Sequence, residues 1–310
     1  MKDERTGGED KPIRWGIIGC GNVVETKNGV PTYTADHSEL VGIWNRTAEK
    51  AQAWVDAQGH GKVYETMEEL LADPSIDIVY VATTPNCHKE QAIAVAQANK
   101  HCYLEKPIAL SWEDAQAIKQ AFDESGTRCY VAHYRRGMPR YKELKRLLDE
   151  GAIGIVRGVQ LIRTQRLTAE ECLPEDQKPW RVRPEVSGGS HFYDAHMLDL
   201  VDYLVGSLAT FNLSATNRTG FYEAEDAVSL SAITESGVLV SGMWCYATYK
   251  AIDRFLVFGD RGSIEFPYYD NAAPLVLETI AGSPEDAIAH EGVMGGVREE
   301  APLERTEIFT

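Results

Sequence analysis

The first residues whose spacing could do chemistry are Gly19-Cys20-Gly21, which directly follow the apolar run Ile13 to Ile18 and precede a segment able to form a helix. A glycine at the first position permits a tight turn after a strand. A second one lets backbone N–H groups approach a pyrophosphate at the positive end of the helix. On this reading Gly19, Gly21, Asn22 and Val23 contact a dinucleotide. The third position of the G-x-G-x-x-G pattern is Val24. That glycine normally serves helix-to-strand packing, so the helix is expected to stand slightly outward without losing the phosphate site. The next strand candidate ends in Trp44-Asn45-Arg46-Thr47, where an Asp or Glu would bond the adenine ribose of NAD. Asn45 is neutral, and the planar guanidinium of Arg46 can hold a 2′-phosphate, so NADP is preferred over NAD. The plain alternative is a solvated arginine at a helix start.

Two further strings, Thr83-Thr84-Pro85-Asn86-Cys87-His88 and Leu104-Glu105-Lys106-Pro107, stand at the ends of successive strand candidates. The carboxyl ends of parallel strands are the edge where doubly wound sheets bind ligands. Positioning them requires an alternation of strand and helix. Ile13 to Ile18, Leu40 to Trp44, Ile76 to Ala82, His101 to Leu104 and Cys129 to Val131 are the strand candidates, with helices at Ala48 to Gln58, Lys89 to Asn99 and Trp112 to Glu124. Strict alternation implies βαβ units and hence a Rossmann-type parallel sheet. After a connector helix, Pro139 to Glu150, the pattern changes. Ile153 to Arg166, Ala209 to Asn217, Asp226 to Thr234, Val238 to Tyr249, Asp253 to Phe258 and Ser263 to Phe266 read as strands in close succession, and only Phe192 to Val205 is strongly helical. The fold class is therefore α/β, an N-terminal Rossmann domain followed by an α+β domain with a large, mostly antiparallel sheet.

A chain of 310 residues favours two domains. The expected division is a flexible tail over 1–11, a dinucleotide-binding domain over 12–133, and a domain for substrate and oligomerisation over 134–310. The tail is charged and lacks the apolar stretch of a signal peptide, and no apolar run approaches a bilayer span. The formal charge of −16 is spread along the chain, which argues against nucleic acid or an anionic membrane and for a small-molecule partner. Six cysteines without CxxC spacing suit reduced thiols in a cytoplasm, with no disulfide frame and no metal site.

Taken together, these motifs resemble the glucose-fructose oxidoreductase, inositol dehydrogenase and rhizopine catabolism (Gfo/Idh/MocA) family. The resemblance continues through His133-Tyr134-Arg135-Arg136, Glu150-Gly151-Ala152-Ile153-Gly154, Trp180-Arg181, Ser187-Gly188-Gly189, His196-Met197-Leu198-Asp199 and Gly259-Asp260-Arg261-Gly262-Ser263-Ile264. It implies that Thr83, Thr84, Pro85, Asn86 and His88 line the cofactor, that Glu105 sits beside the nicotinamide, that Lys106 is the active-site lysine before a cis proline, and that His196 is the catalytic histidine. The family places an Asp four residues before that histidine, whereas Asp194 stands two before it. Asp194 is assigned the catalytic role with a helix cap as its alternative, and His191 or Tyr193 could fill the vacant polar position. Tyr134, Arg135, Trp180 and Arg181 are expected to meet substrate.

Such residues suit hydride transfer. A histidine with an ordinary pKa of about 6.5 can take or return a hydroxyl proton, and an ammonium stabilises developing alkoxide charge. The expected function is an NAD(P)-dependent dehydrogenase or reductase acting on CH–OH groups of a small sugar, polyol or related compound, assembled as a homodimer or homotetramer. An NAD-dependent glycoside hydrolase of the same family and a noncatalytic NADP-binding sensor are the alternatives.

Overall fold

Alternating strand and helix produce, in the computed structural model, a six-stranded sheet of order β3-β2-β1-β4-β5-β6, all pairs parallel. Residues 11–189, 194–281 and 303–308 are described. The strands are β1 (Ile13–Ile18), β2 (Ser38–Trp44), β3 (Lys62–Val63), β4 (Ile78–Val81), β5 (His101–Leu104) and β6 (Cys129–Val131). Helices α1 (Pro31–Thr34), α2 (Ala48–Gln58), α3 (Met67–Ala72), α4 (Pro85–Gln97) and α5 (Trp112–Ser125) connect them. All four residues of β4 are buried, as a strand covered on both faces requires. Neighbouring Ile17 and Ile18 of β1 join different apolar clusters, one with Val24, Ile43 and Trp54, the other with Leu70, Val79 and Phe122, so each face has its own core. The helix expected from Lys89 begins earlier, at Pro85, because proline's missing N–H and preset φ suit a first helical position.

The second sheet has eight strands in the order β14-β13-β12-β11-β7-β10-β9-β8. They are β7 (Val156–Gln165), β8 (Leu208–Thr216), β9 (Ala227–Thr234), β10 (Leu239–Tyr246), β11 (Ile252–Gly259), β12 (Gly262–Phe266), β13 (Leu275–Ile280) and β14 (Leu303–Ile308), with α6 (Pro139–Asp149), α7 (Pro184–Ser187) and α8 (Ala195–Val205). Every pair is antiparallel except β7 with β10, so the mostly antiparallel sheet is as the sequence pattern requires. Strands β13 and β14 go beyond that pattern. Leu-Glu-Arg-Thr-Glu-Ile in β14 is largely exposed at the sheet edge and carries no apolar alternation to read.

Strands β9 and β10 alternate buried and exposed positions, so one face of this sheet is covered. Tyr141, Leu144 and Leu148 of α6 and Met197, Leu200, Val201 and Leu204 of α8 pack there with Val159, Val240, Phe255 and Val257. Burying each such aliphatic side chain contributes about 1.5–3 kcal/mol. The opposite face presents Ile233, Leu239, Met243 and Phe258, each at least 40% exposed. Two compact units result. One runs to Ala132 and takes in Glu185–Gly188, and the other holds His133–Pro184 and resumes at Gly189. Among the described residues no helix is long and apolar enough to cross a membrane.

Candidate active site

In the first unit the chain leaves β1 through Gly19 at φ +97°, a left-handed conformation open to glycine. A Cβ there would lie 2.9 Å from Thr83 Cγ2, so the turn presses against the segment after β4. Above Gly21 the space is open, since its Cβ position meets only Ala82 O at 4.0 Å. That opening and the helix amides beginning at Asn22 and Val23 fit a pyrophosphate. Asn45 braces the same turn. Its Oδ1 accepts from Cys20 N at 3.0 Å, and its Nδ2 donates to Thr47 O at 2.8 Å. Arg46 is exposed and forms no ion pair among the described residues.

Val24 does not simply displace the helix outward. It is fully buried, and the helix widens into a π turn over Val24–Asn28, closed by Gly29 N donating to Val24 O at 3.2 Å. The need for a small residue passes to Gly29, whose Cβ would fall 2.5 Å from Val24 O.

Beyond β4, Thr83 Oγ1 donates to Gln91 Oε1 at 2.5 Å and Thr84 Oγ1 to Asn86 Oδ1 at 2.7 Å, while Pro85 opens α4. His88, expected among the cofactor contacts, has another part. It is fully buried, with Nδ1 2.8 Å from Pro107 O and Nε2 3.1 Å from Thr83 O. It braces one loop against the other. Burial pushes its imidazole below the ordinary pKa, outweighing the two carbonyls that favour a charged ring. The neutral ring donates to one carbonyl only.

The Lys106-Pro107 bond is cis, and Lys106 is half-buried. Glu105 is 8% exposed. Its Oε1 accepts from the Tyr80 hydroxyl at 2.7 Å and from Asn28 Nδ2 at 2.9 Å, and its Oε2 from Lys106 N at 3.2 Å. Burial first and the Glu105 charge second raise the Tyr80 phenol far above its usual value. Tyr80 and Asn28 were not singled out from the sequence. The available signal was a hydroxyl in the otherwise aliphatic β4, since a buried tyrosine needs a partner.

In the second unit His196 and Asp199 lie one turn apart on α8. A 3-10 turn, Tyr134–Gly137, is tied to that helix by Arg136, whose Nη2 lies 2.6 Å from Asp199 Oδ1 and 2.8 Å from Asp202 Oδ2. The hydrogen bond with Asp199 raises the Arg136 pKa. The turn sets the rings of His133 and Tyr134 edge-on to His196, with centroids 5.7 and 5.2 Å away. His133 Nδ1 is 3.8 Å from Asp199 Oδ2.

Arg135 points the other way. It is 4% exposed and donates to Tyr141 Oη and Tyr268 O, both at 3.0 Å, so where a substrate contact was expected the side chain braces the interior of the unit. Asp194 occupies the position before α8 but makes no side-chain cap. Its Oδ1 instead accepts from the Tyr269 hydroxyl, and Arg163 lies 4.2 Å over the Tyr269 ring. Tyr269 too was invisible in the sequence pattern. Trp180 and Arg181 stack on one another, with the guanidinium 5.0 Å from the ring and Arg181 exposed. His191 and Tyr193 lie outside the described residues.

Residues 13–133 match the family model described as an oxidoreductase family with NAD-binding Rossmann fold, and residues 141–265 match the GFO/IDH/MocA C-terminal domain. The chain is 32% identical to oxidoreductase P35 of Formosa agariphila, covering 83% of this chain and 80% of that one. It is 30% identical to a 1,5-anhydro-D-fructose reductase of Ensifer adhaerens, covering 81% and 74%. Among solved structures, the WlbA dehydrogenase of Bordetella pertussis with NADH and UDP-GlcNAcA is 29% identical, with a TM-score of 0.74 over 84% of this chain and 75% of that one.

The depressed pKa of His88 gives a test with a definite sign. Stability that depends on its neutral form is present above the unfolded pKa of about 6.5 and is lost as pH falls toward the lower folded value. Urea titrations at pH 7.5 and 5.5 should therefore show a loss on acidification that is smaller in His88→Gln. An equal loss in both proteins would remove His88 as its source.

Proposed function

The chain belongs to the Gfo/Idh/MocA oxidoreductase family, and from that premise we propose that it moves a hydride between NADP and a hydroxyl or carbonyl carbon of a small sugar, polyol or related compound. The observation that carries this reading is the common edge of the first sheet. The Gly19 turn after β1, the Thr83 segment after β4 and Glu105-Lys106 after β5 stand on adjacent parallel strands. Gly19, Gly21, Asn22 and Val23 hold the pyrophosphate, with Asn45 keeping the turn in shape. Thr83, Thr84, Pro85, Asn86 and Glu105 border the rest of the dinucleotide. The bound nicotinamide supplies or accepts the hydride.

Lys106 directs its ammonium at the substrate oxygen and steadies negative charge as it develops. His196 takes the hydroxyl proton in oxidation and returns it in reduction, with His133 and Tyr134 fixing its ring. Asp194 contributes a carboxylate held by Tyr269, and Tyr134, Trp180 and Arg181 serve substrate recognition. In a panel of sugars and polyols with both dinucleotides, nicotinamide absorbance should change with net turnover. Lys106→Ala should lower the maximal rate about a hundredfold or more while NADP still binds. A rate near wild type in that variant would end the catalytic reading of Lys106.

NADP preference rests on Arg46, which is exposed at the end of β2 with no acidic residue beside it. Arg46→Ala should weaken NADP binding by about tenfold or more, as expected for loss of a charge-assisted bond to a 2′-phosphate, and leave NAD binding nearly unchanged. Equal weakening of both would assign the discrimination elsewhere.

The exposed apolar face of the second sheet supports self-association. Phe258, Gly158, Leu239 and Ile233 form one cross-strand row, and Ser241 pairs with Ser231 in the next row on that face, a mixed surface suited to a second copy. Light scattering should give at least twice the 34.4 kDa chain mass at micromolar concentration. A stable monomer there would refute the assembly.

A further inference from the structure

Asn28, Tyr80 and Glu105 come from three separate elements: the end of the π turn, the middle of β4 and the segment after β5. They converge on one atom. Glu105 Oε1 accepts at 2.7 Å from Tyr80 and at 2.9 Å from Asn28, and Asn28 also donates to the Tyr80 hydroxyl at 3.3 Å. Tyr80 is fully buried and Glu105 nearly so, which leaves protein donors as the carboxylate's means of compensation. The helix register delivers Asn28. Gly29 N bonds five residues back, to Val24 O. An ordinary turn, one residue shorter, would carry that side chain about 100° around the axis. Such π turns recur at functional sites.

We propose, resting on the role of Lys106 given above, that Tyr80 and Asn28 are positioning residues. They hold Glu105, and through the Lys106 N to Glu105 Oε2 bond of 3.2 Å they hold the lysine's backbone. The helix whose first amides face the pyrophosphate is thereby tied at its other end to the loop that carries the lysine. Cofactor binding at Asn22 and lysine placement at Lys106 are linked through the side chain of Asn28. The titratable groups around Glu105 are Tyr80 of β4, His88 of α4 and Lys106 itself, with Tyr103 of β5 packed on Tyr80 at 5.4 Å.

The test compares wild type with Tyr80→Phe, Asn28→Asp and Asn28→Ala, following NADPH and NADH binding by fluorescence and turnover on the best panel substrate from pH 5.5 to 8.5. Tyr80→Phe keeps the ring and loses the hydroxyl, so turnover should fall about tenfold with substrate KM changed less than about twofold. Asn28→Asp sets a second carboxylate against Glu105, and one of the two must then hold a proton. Its dinucleotide affinity should be near wild type at pH 5.5 and about tenfold weaker at pH 8.5, whereas Asn28→Ala should be weakened equally at both. A merely structural role would give no such pH dependence. If melting curves show that Tyr80→Phe does not fold, the two Asn28 variants decide. Wild-type turnover and pH profile in Tyr80→Phe and Asn28→Asp would overturn the proposal and leave the proposed function standing. A wild-type protein that binds neither dinucleotide would overturn both.

Discussion

A carboxylate withdrawn from water must be met by donors, and in the first unit that demand falls on Glu105, 8% exposed at the end of β5. Much of the local architecture follows from it. The Tyr80 hydroxyl has to stand within β4, where the other side chains are aliphatic, and Asn28 has to arrive from the helix after the glycine turn. Its arrival depends on a π turn, and the π turn on Gly29, since any side chain at that position would strike Val24 O. His88, wedged between Thr83 O and Pro107 O and donating to one of them, then packs the following residues against the segment after β4. Buried polar groups with complete partners are rigid, and rigidity is what the role proposed for Lys106 requires.

The second unit uses charge with the opposite sign to the same end. Arg136 spans Asp199 and Asp202 on α8 and so seats the turn that carries His133 and Tyr134 against His196. Its guanidinium is partly exposed, 40% in the side chain, so the stabilisation from these pairs is modest and their value is orientation. Adjacent Arg135 is directed inward to Tyr141, Tyr268 and Asn271, which roots the turn in the sheet. One arginine fixes the turn's foundation and the next fixes its tilt toward α8.

Asp194 stands at the start of α8, buried and bonded to Tyr269 from the segment after β12. Asp253 in turn accepts the amides of Tyr268 and Tyr269 at 3.0 and 2.6 Å, and burial raises its own pKa. The polar cluster is thus organised by the sheet and not by the helix alone.

Local patterning carried the fold. Strand-helix alternation, the burial period of two in β9 and β10, the glycine turn after β1 and the motifs at the ends of β4 and β5 are all properties of neighbouring residues, so they could be read along the chain. Tertiary structure decided what those signals omit. Asn28 finds Glu105 across 77 positions and Asp194 finds Tyr269 across 75, and nothing local distinguishes Tyr80 from a core aromatic. The inward turn of Arg135, the bracing role of His88, the π turn around Val24 and the edge strand β14 escaped for the same reason. Periodicity records which face of an element is buried, whereas the partner of a buried polar group depends on which distant strand the sheet order sets beside it.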